Sequence, residues 1–167
     1  MRLLGAVLLW ISLTCVGVIS STKLKKHITT LEKTLIMLEE MKIQLNYLNV
    51  PIFDLLTNLS EKEYLKELFY LKECQRDLEQ GIDFPHAWKN SIENTSHLYK
   101  TEEKERLLQL GCNLGASSTE NQLNILNLQI VYFTEFLENA KFKSKKYGST
   151  IMTLGVLFGC MVFILVI

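Results

Sequence analysis

Proline and glycine are scarce, with two and eight in 167 residues. That argues against a long structureless linker. Neither sign of charge dominates, with 18 Lys+Arg against 18 Asp+Glu. The balance excludes nucleic-acid binding through bulk charge, which needs a basic face or a pI above about 9. It equally excludes an acidic disordered tail. The four cysteines do not make a disulfide framework: Cys15 and Cys160 fall inside apolar runs, and Cys74 and Cys112 stand alone. Cys74 and Cys112 read as ordinary small buried residues. No segment between the apolar runs alternates strictly with period two, and no internal repeat is visible. Catalytic constellations are missing too. There is no HExxH, no Cys-x-x-Cys and no phosphate-cradling glycine loop. Glu93 and His97 are four apart and share a helical face, but a metal site needs three or four ligands. No Glu-x-x-His occurs, so a di-iron bundle is excluded. The chain reads as a non-enzyme with no cofactor.

What is present is apolar and concentrated at the ends. Residues 3–19 and 151–167 are each seventeen residues without a charge. A seventeen-residue helix is about 25 Å long, enough with a few flanking residues for a ~30 Å hydrocarbon core. The first run has ten Leu, Ile or Val residues, and the last has eleven Leu, Ile, Val or Phe. Each favours insertion by several kcal/mol at roughly 0.3 to 0.6 kcal/mol per residue. Both are expected to be transmembrane helices. The first has a rival reading as a cleaved signal peptide, with Val18-Ile19-Ser20 as the cleavage site. Its n-region carries only Arg2, however, and its apolar run exceeds the usual length. The expected organisation is a transmembrane anchor at 1–22, a helical domain at 23–147 and a second transmembrane helix at 148–167.

Lysines set the topology. Lys23, Lys25 and Lys26 follow the first run, and Lys141, Lys143, Lys145 and Lys146 precede the last. The positive-inside bias places both juxtamembrane clusters in the cytoplasm, with both termini outside. Between them, residues 47–138 hold eight basic and fifteen acidic side chains, net −7. The lysine clusters read either as topology anchors or, with Phe142 and Tyr147 interleaved, as a site for anionic lipid.

The middle reads as all-α. Leu24, Ile28, Leu31, Leu35, Leu38 and Leu45 follow 3-4 spacing, and Met41 and Leu48 extend the stripe. Val50 precedes Pro51 and is biased out of the helical region, so a helix ends there. Pro51 suits the first turn of a short helix carrying Phe53, Leu56 and Leu59. Ser60 with Glu63 has capping-box spacing and predicts a helix start, with Leu65, Leu68, Phe69 and Lys72 on one side. Gln80-Gly81 ends that helix. Pro85 opens another with Trp88 and Ile92, and Asn94-Thr95-Ser96 is a turn. Thr101 caps a helix through Leu107, Leu108 and Leu110, punctuated by Gly111 and Gly115. Glu102, Glu103 and Glu105 form an acidic first turn there, favoured by the helix dipole. Ser118 or Thr119 starts a last helix striped by Leu123, Leu126, Ile130, Phe133 and Leu137.

With no catalytic set, the candidates are binding residues. Trp88 suits a core plug or a partner anchor. Gly155-x-x-x-Gly159 lets membrane helices approach closely, whether in self-association or against the first span.

The order of features resembles the stage III sporulation protein AB family. Leu3-Leu4-Gly5-Ala6 and Gly17 lie in the first apolar run. Leu35-Ile36-Met37-Leu38-Glu39, Tyr47 and Pro51-Ile52 follow in a basic helix. Trp88 sits in a short helix. Leu107-Leu108-Gln109-Leu110-Gly111-Cys112-Asn113-Leu114-Gly115 precedes Ser118 and Gln122, and Leu154-Gly155-Val156-Leu157-Phe158-Gly159 closes the chain. The family tends to carry Arg across Lys23 to Lys26 and Phe in place of Leu110. The resemblance implies a mother-cell membrane component of the channel joining mother cell and forespore. It implies a cytoplasmic domain similar to that of the type II secretion F protein. The expected partners are a secretion-type ATPase, other channel proteins and the lipid bilayer. Docking is expected at acidic surface residues, Glu61, Glu63, Glu102 and Glu103, together with Trp88. The competing expectation is an exported sensor or receptor domain behind a cleaved signal peptide.

Overall fold

Leucine- and methionine-rich 3-4 spacing, unbroken by proline, makes the first helix, α1 (Arg2–Ile43). In the computed structural model, backbone is described for residues 2–48, 50–114 and 118–166. Side chains are described for 22–47, 50–95, 97–114, 118–146 and Thr153. A π-helical turn, Gln44–Leu48, ends α1 before Pro51. Then come α2 (Ile52–Ser60), a 3-10 turn at Glu63–Leu65, α3 (Tyr70–Glu79) and α4 (Phe84–Asn94). A second 3-10 turn at Ser96–Leu98 leads to α5 (Thr101–Asn113) and α6 (Thr119–Val166). The described residues contain no strand, so the fold is all-α as the sequence predicts.

The chain divides into two compact units. One comprises residues 1–28 and 138–167, the other 29–137. Among the described residues no helix is long and apolar enough to cross a membrane. The described backbone of the two predicted spans, 3–19 and 151–166, is helical, but apart from Thr153 their side chains lie outside the described set. So do Gly155, Gly159 and Tyr147.

The unit 29–137 holds the core. From α1 it takes Leu31, Met37, Leu38 and Met41, all fully buried. The predicted stripe is therefore real but wider, because Thr30, Thr34 and Gln44 are buried beside it. In α2, Leu55, Leu56 and Leu59 face inward, while Phe53 stays 46% exposed. α3 packs on α2 and α4, and α4 packs on α5.

An aromatic group ties these helices together. Trp88 of α4 is fully buried and meets Tyr70 of α3 edge-on, ring centroids 5.6 Å apart. Tyr99, after the second 3-10 turn, approaches Tyr70 at 6.1 Å. The hydroxyl of Thr34 donates to the Thr30 carbonyl at 2.8 Å and lies 2.6 Å from the Tyr99 hydroxyl. Tyr99 and Tyr70 hydroxyls are 3.2 Å apart, and the Tyr70 hydroxyl donates to Met37 Sδ at 3.3 Å. Each buried hydroxyl thus has a partner, which removes most of its desolvation cost. Burial pushes the Tyr99 phenol up to about 12 and raises the Tyr70 phenol well above its ordinary 10.0.

Two helix ends depart from expectation. Ser60 does not open a helix. It closes α2, donating to the Thr57 carbonyl at 2.9 Å and to Gln75 Oε1 of α3 at 2.5 Å. The next helix begins only at Tyr70, and Phe69 before it is 59% exposed rather than core. Gly111 does not end α5. It is buried within the helix, where an added Cβ would lie 2.1 Å from Trp88 Cδ1. The close approach lets Trp88 Nε1 donate to the Leu107 carbonyl at 2.7 Å. Gly81 does end α3, as read from the sequence. Its φ of +86 suits glycine, and the Ile82 amide reaches back to the Asp77 carbonyl at 3.1 Å.

α6 presents a rotated stripe. Gln122, Leu126, Gln129, Phe133, Leu137 and Ala140 are buried, whereas Leu123 and Ile130 are only half-buried. Arg106 of α5 stacks over the Tyr132 ring at 3.6 Å and pins α5 to α6.

Candidate docking surface

The acidic candidates separate on inspection. Glu61 and Glu63 are exposed in the α2–α3 connection. Glu102 is exposed in the first turn of α5, on a different element. Glu103 is 3% exposed and is not a surface residue. Its carboxylate accepts the Lys100 amide at 2.9 Å, and Lys100 Nζ lies 3.9 Å away. It secures the start of α5. Trp88 is likewise a core plug, unavailable to a partner. Sequence alone left both options open for it; the small residue at 111, where its ring lodges, was the one legible hint.

Around Glu61 and Glu63 the surface is mixed rather than acidic. Glu63 pairs with Lys66, both side chains well exposed. An open groove of about 300 Å³ runs along this connection, lined by Ser60, Glu61, Lys66, Lys72, Gln75, Arg76 and Glu79. Lys72 and Arg76 are four apart on α3, a spacing that puts both cations on one face. That pair was visible in the sequence and was overlooked beside the carboxylates.

Tyr64 completes the surface. Its hydroxyl donates to Glu40 Oε1 of α1 at 2.7 Å, while Lys62 Nζ stands 5.9 Å over its ring. The Glu40 hydrogen bond raises the Tyr64 phenol above its ordinary value. Ile43 and Tyr47, one and two turns beyond Glu40, are 53% and 77% exposed. The polar groups are exposed and screened, so their mutual pairs add little to stability.

The lysine clusters are also exposed: Lys23, Lys25 and Lys26 near the start, Lys141, Lys143, Lys145 and Lys146 near the end. The described residues contain no group of three His, Cys, Asp or Glu side chains placed to hold a metal ion. Cys74 is buried, and burial pushes its thiol up to about 12, so it is unreactive. Cys112 is exposed, contrary to the expectation of a buried residue.

These features define an all-helical protein with a mixed-charge surface groove beside α3. The chain belongs to the stage III sporulation protein AB family, whose model matches residues 2–167. Its role is therefore in sporulation, and the family is not a known enzyme family. No curated protein and no solved structure matches the chain.

Proposed function

We propose that the chain is a membrane-held scaffold of the channel complex between mother cell and forespore. The acidic helical domain faces the mother-cell cytoplasm and docks a secretion-type ATPase. Both termini lie outside, and the domain shares the helical architecture of the type II secretion F protein. The observation that carries this reading is the separation of charge. Residues 29–137 hold ten basic and seventeen acidic side chains, net −7. The remaining residues hold eight basic and one acidic, net +7. Basic flanks beside two uncharged apolar runs follow the positive-inside pattern, and an acidic domain between them offers a steering surface for a basic partner. With no phosphate-binding loop in this chain, nucleotide hydrolysis belongs to the partner.

Deleting the gene and imaging sporulating cells with a membrane dye tests the role. Collapse or arrest of the forespore near engulfment, rescued by the intact gene, is expected; normal heat-resistant spores would refute it. Docking is tested by Glu61→Lys, Glu63→Lys and Glu102→Lys together. The triple variant should lose co-purification of the ATPase while keeping wild-type helicity. Retained co-purification means the docking face lies elsewhere.

A further inference from the structure

We infer that the seven lysines midway along α1 and α6, where each helix meets its apolar run, form one collar that binds anionic lipid headgroups. The inference rests on the membrane reading above and adds the lipid class to it. In sequence the two clusters are more than a hundred residues apart. In the fold they belong to the same compact unit, because 1–28 and 138–167 group together. All seven side chains are exposed. Within that unit Glu138 is the single acidic side chain, so the unit carries net +7.

Three features specify the occupant. Each cluster lies within a few residues of a seventeen-residue uncharged run, at 3–19 and 151–167. Insertion of those runs brings long lysine stems to headgroup depth, where the ammonium groups reach phosphate. Phe142 lies between Lys141 and Lys143 and is 66% exposed. An exposed aromatic ring among lysines suits the interface, where its apolar body contacts acyl chains. Lysine, a compact charge on a flexible stem, suits many headgroups in place of one bidentate ligand.

The test uses the full-length protein in phosphatidylcholine vesicles containing one-fifth phosphatidylglycerol. It is extracted in mild detergent, and the retained lipid is quantified. The ratio of phosphatidylglycerol to phosphatidylcholine should rise about tenfold over bulk, as expected for several lysines each favouring an anionic surface. The quadruple variant K141Q/K143Q/K145Q/K146Q should bring the ratio near bulk. The corresponding Lys→Arg variant should preserve it, and high salt should reduce it. Circular dichroism checks that each variant keeps its helix content. A wild-type ratio equal to bulk, or a ratio unmoved by Lys→Gln, overturns the inference. So does a Lys→Gln variant that changes only the oligomeric state, which would assign the collar to another copy's acidic domain. Flotation with pure phosphatidylcholine vesicles after alkaline carbonate separates the two proposals. A protein that does not float refutes the membrane reading, whereas one that floats without enrichment refutes the collar alone.

Discussion

An added Cβ at position 111 would sit 2.1 Å from Trp88 Cδ1, so the indole packs there only against glycine. The ring cannot retreat without giving up its 2.7 Å hydrogen bond to the Leu107 carbonyl and its contact with Tyr70. Gly111→Ala should therefore destabilise the protein by about 2–3 kcal/mol through overpacking, despite alanine's better helix propensity. A thermal melt checks this, and an unchanged midpoint would show that the ring has room. Trp88→Ala should cost about 3–5 kcal/mol in the same assay. The two free cysteines of the domain should differ as sharply. With Cys15 and Cys160 replaced, an alkylating reagent should modify exposed Cys112 in the native protein and reach buried Cys74 only after denaturation. Equal rates at both would contradict the packing around Cys74.

Helix ends were legible where backbone chemistry alone decided them. Gly81 is the example: its positive φ and the Ile82 amide bond to Asp77 follow from a local rule. Ser60 misled because its hydroxyl is engaged by Gln75, fifteen residues on, a partner that spacing does not reveal. In α6 the expected stripe holds at Leu126, Phe133 and Leu137, but Gln122 and Gln129 are buried where Leu123 and Ile130 were expected. Long amide side chains are not part of an apolar stripe, so spacing of apolar residues does not reveal their burial. The contact of α1 with α3 and the Tyr99 turn makes a pH prediction. Tyr99 and Tyr70 have folded pKa values raised above the ordinary 10.0 by burial, to about 12 for Tyr99. Their contribution to stability is complete below pH 10 and is lost as pH rises through about 12. Helicity should fall in that alkaline window together with a late fraction of tyrosinate absorbance. If all six tyrosines ionised near pH 10 with helicity intact, the buried hydroxyl chain would be wrong.

At the scale of the molecule, charge is partitioned between net −7 over 29–137 and net +7 over the rest. The acidic unit contains the whole aromatic core, so a fragment of 29–137 should fold alone. It should stay in the supernatant after ultracentrifugation without detergent and melt cooperatively by circular dichroism. A fragment that aggregates or melts without a transition would mean that the terminal helices are needed for folding. Because its net charge is negative, the same fragment should fail to bind anionic vesicles, in contrast to the full chain.

The amino-acid order determined what depends on local rules: an all-α fold, most helix boundaries, the apolar ends, the basic flanks and the absence of catalytic sets. These follow from periodicity, proline and glycine placement, and charge counts, each readable within a few turns of chain. Even the net acidity of residues 29–137 was visible as composition. Only the tertiary structure decided which side chains are buried. It placed Glu103 and Trp88 inside, turned Phe53 and Phe69 outward, set Lys66, Lys72 and Arg76 beside Glu61, and made Gly111 a seat for an indole ring. Those outcomes depend on contacts between elements ten to seventy residues apart, where volume and hydrogen-bond geometry are shared and no single segment carries the information.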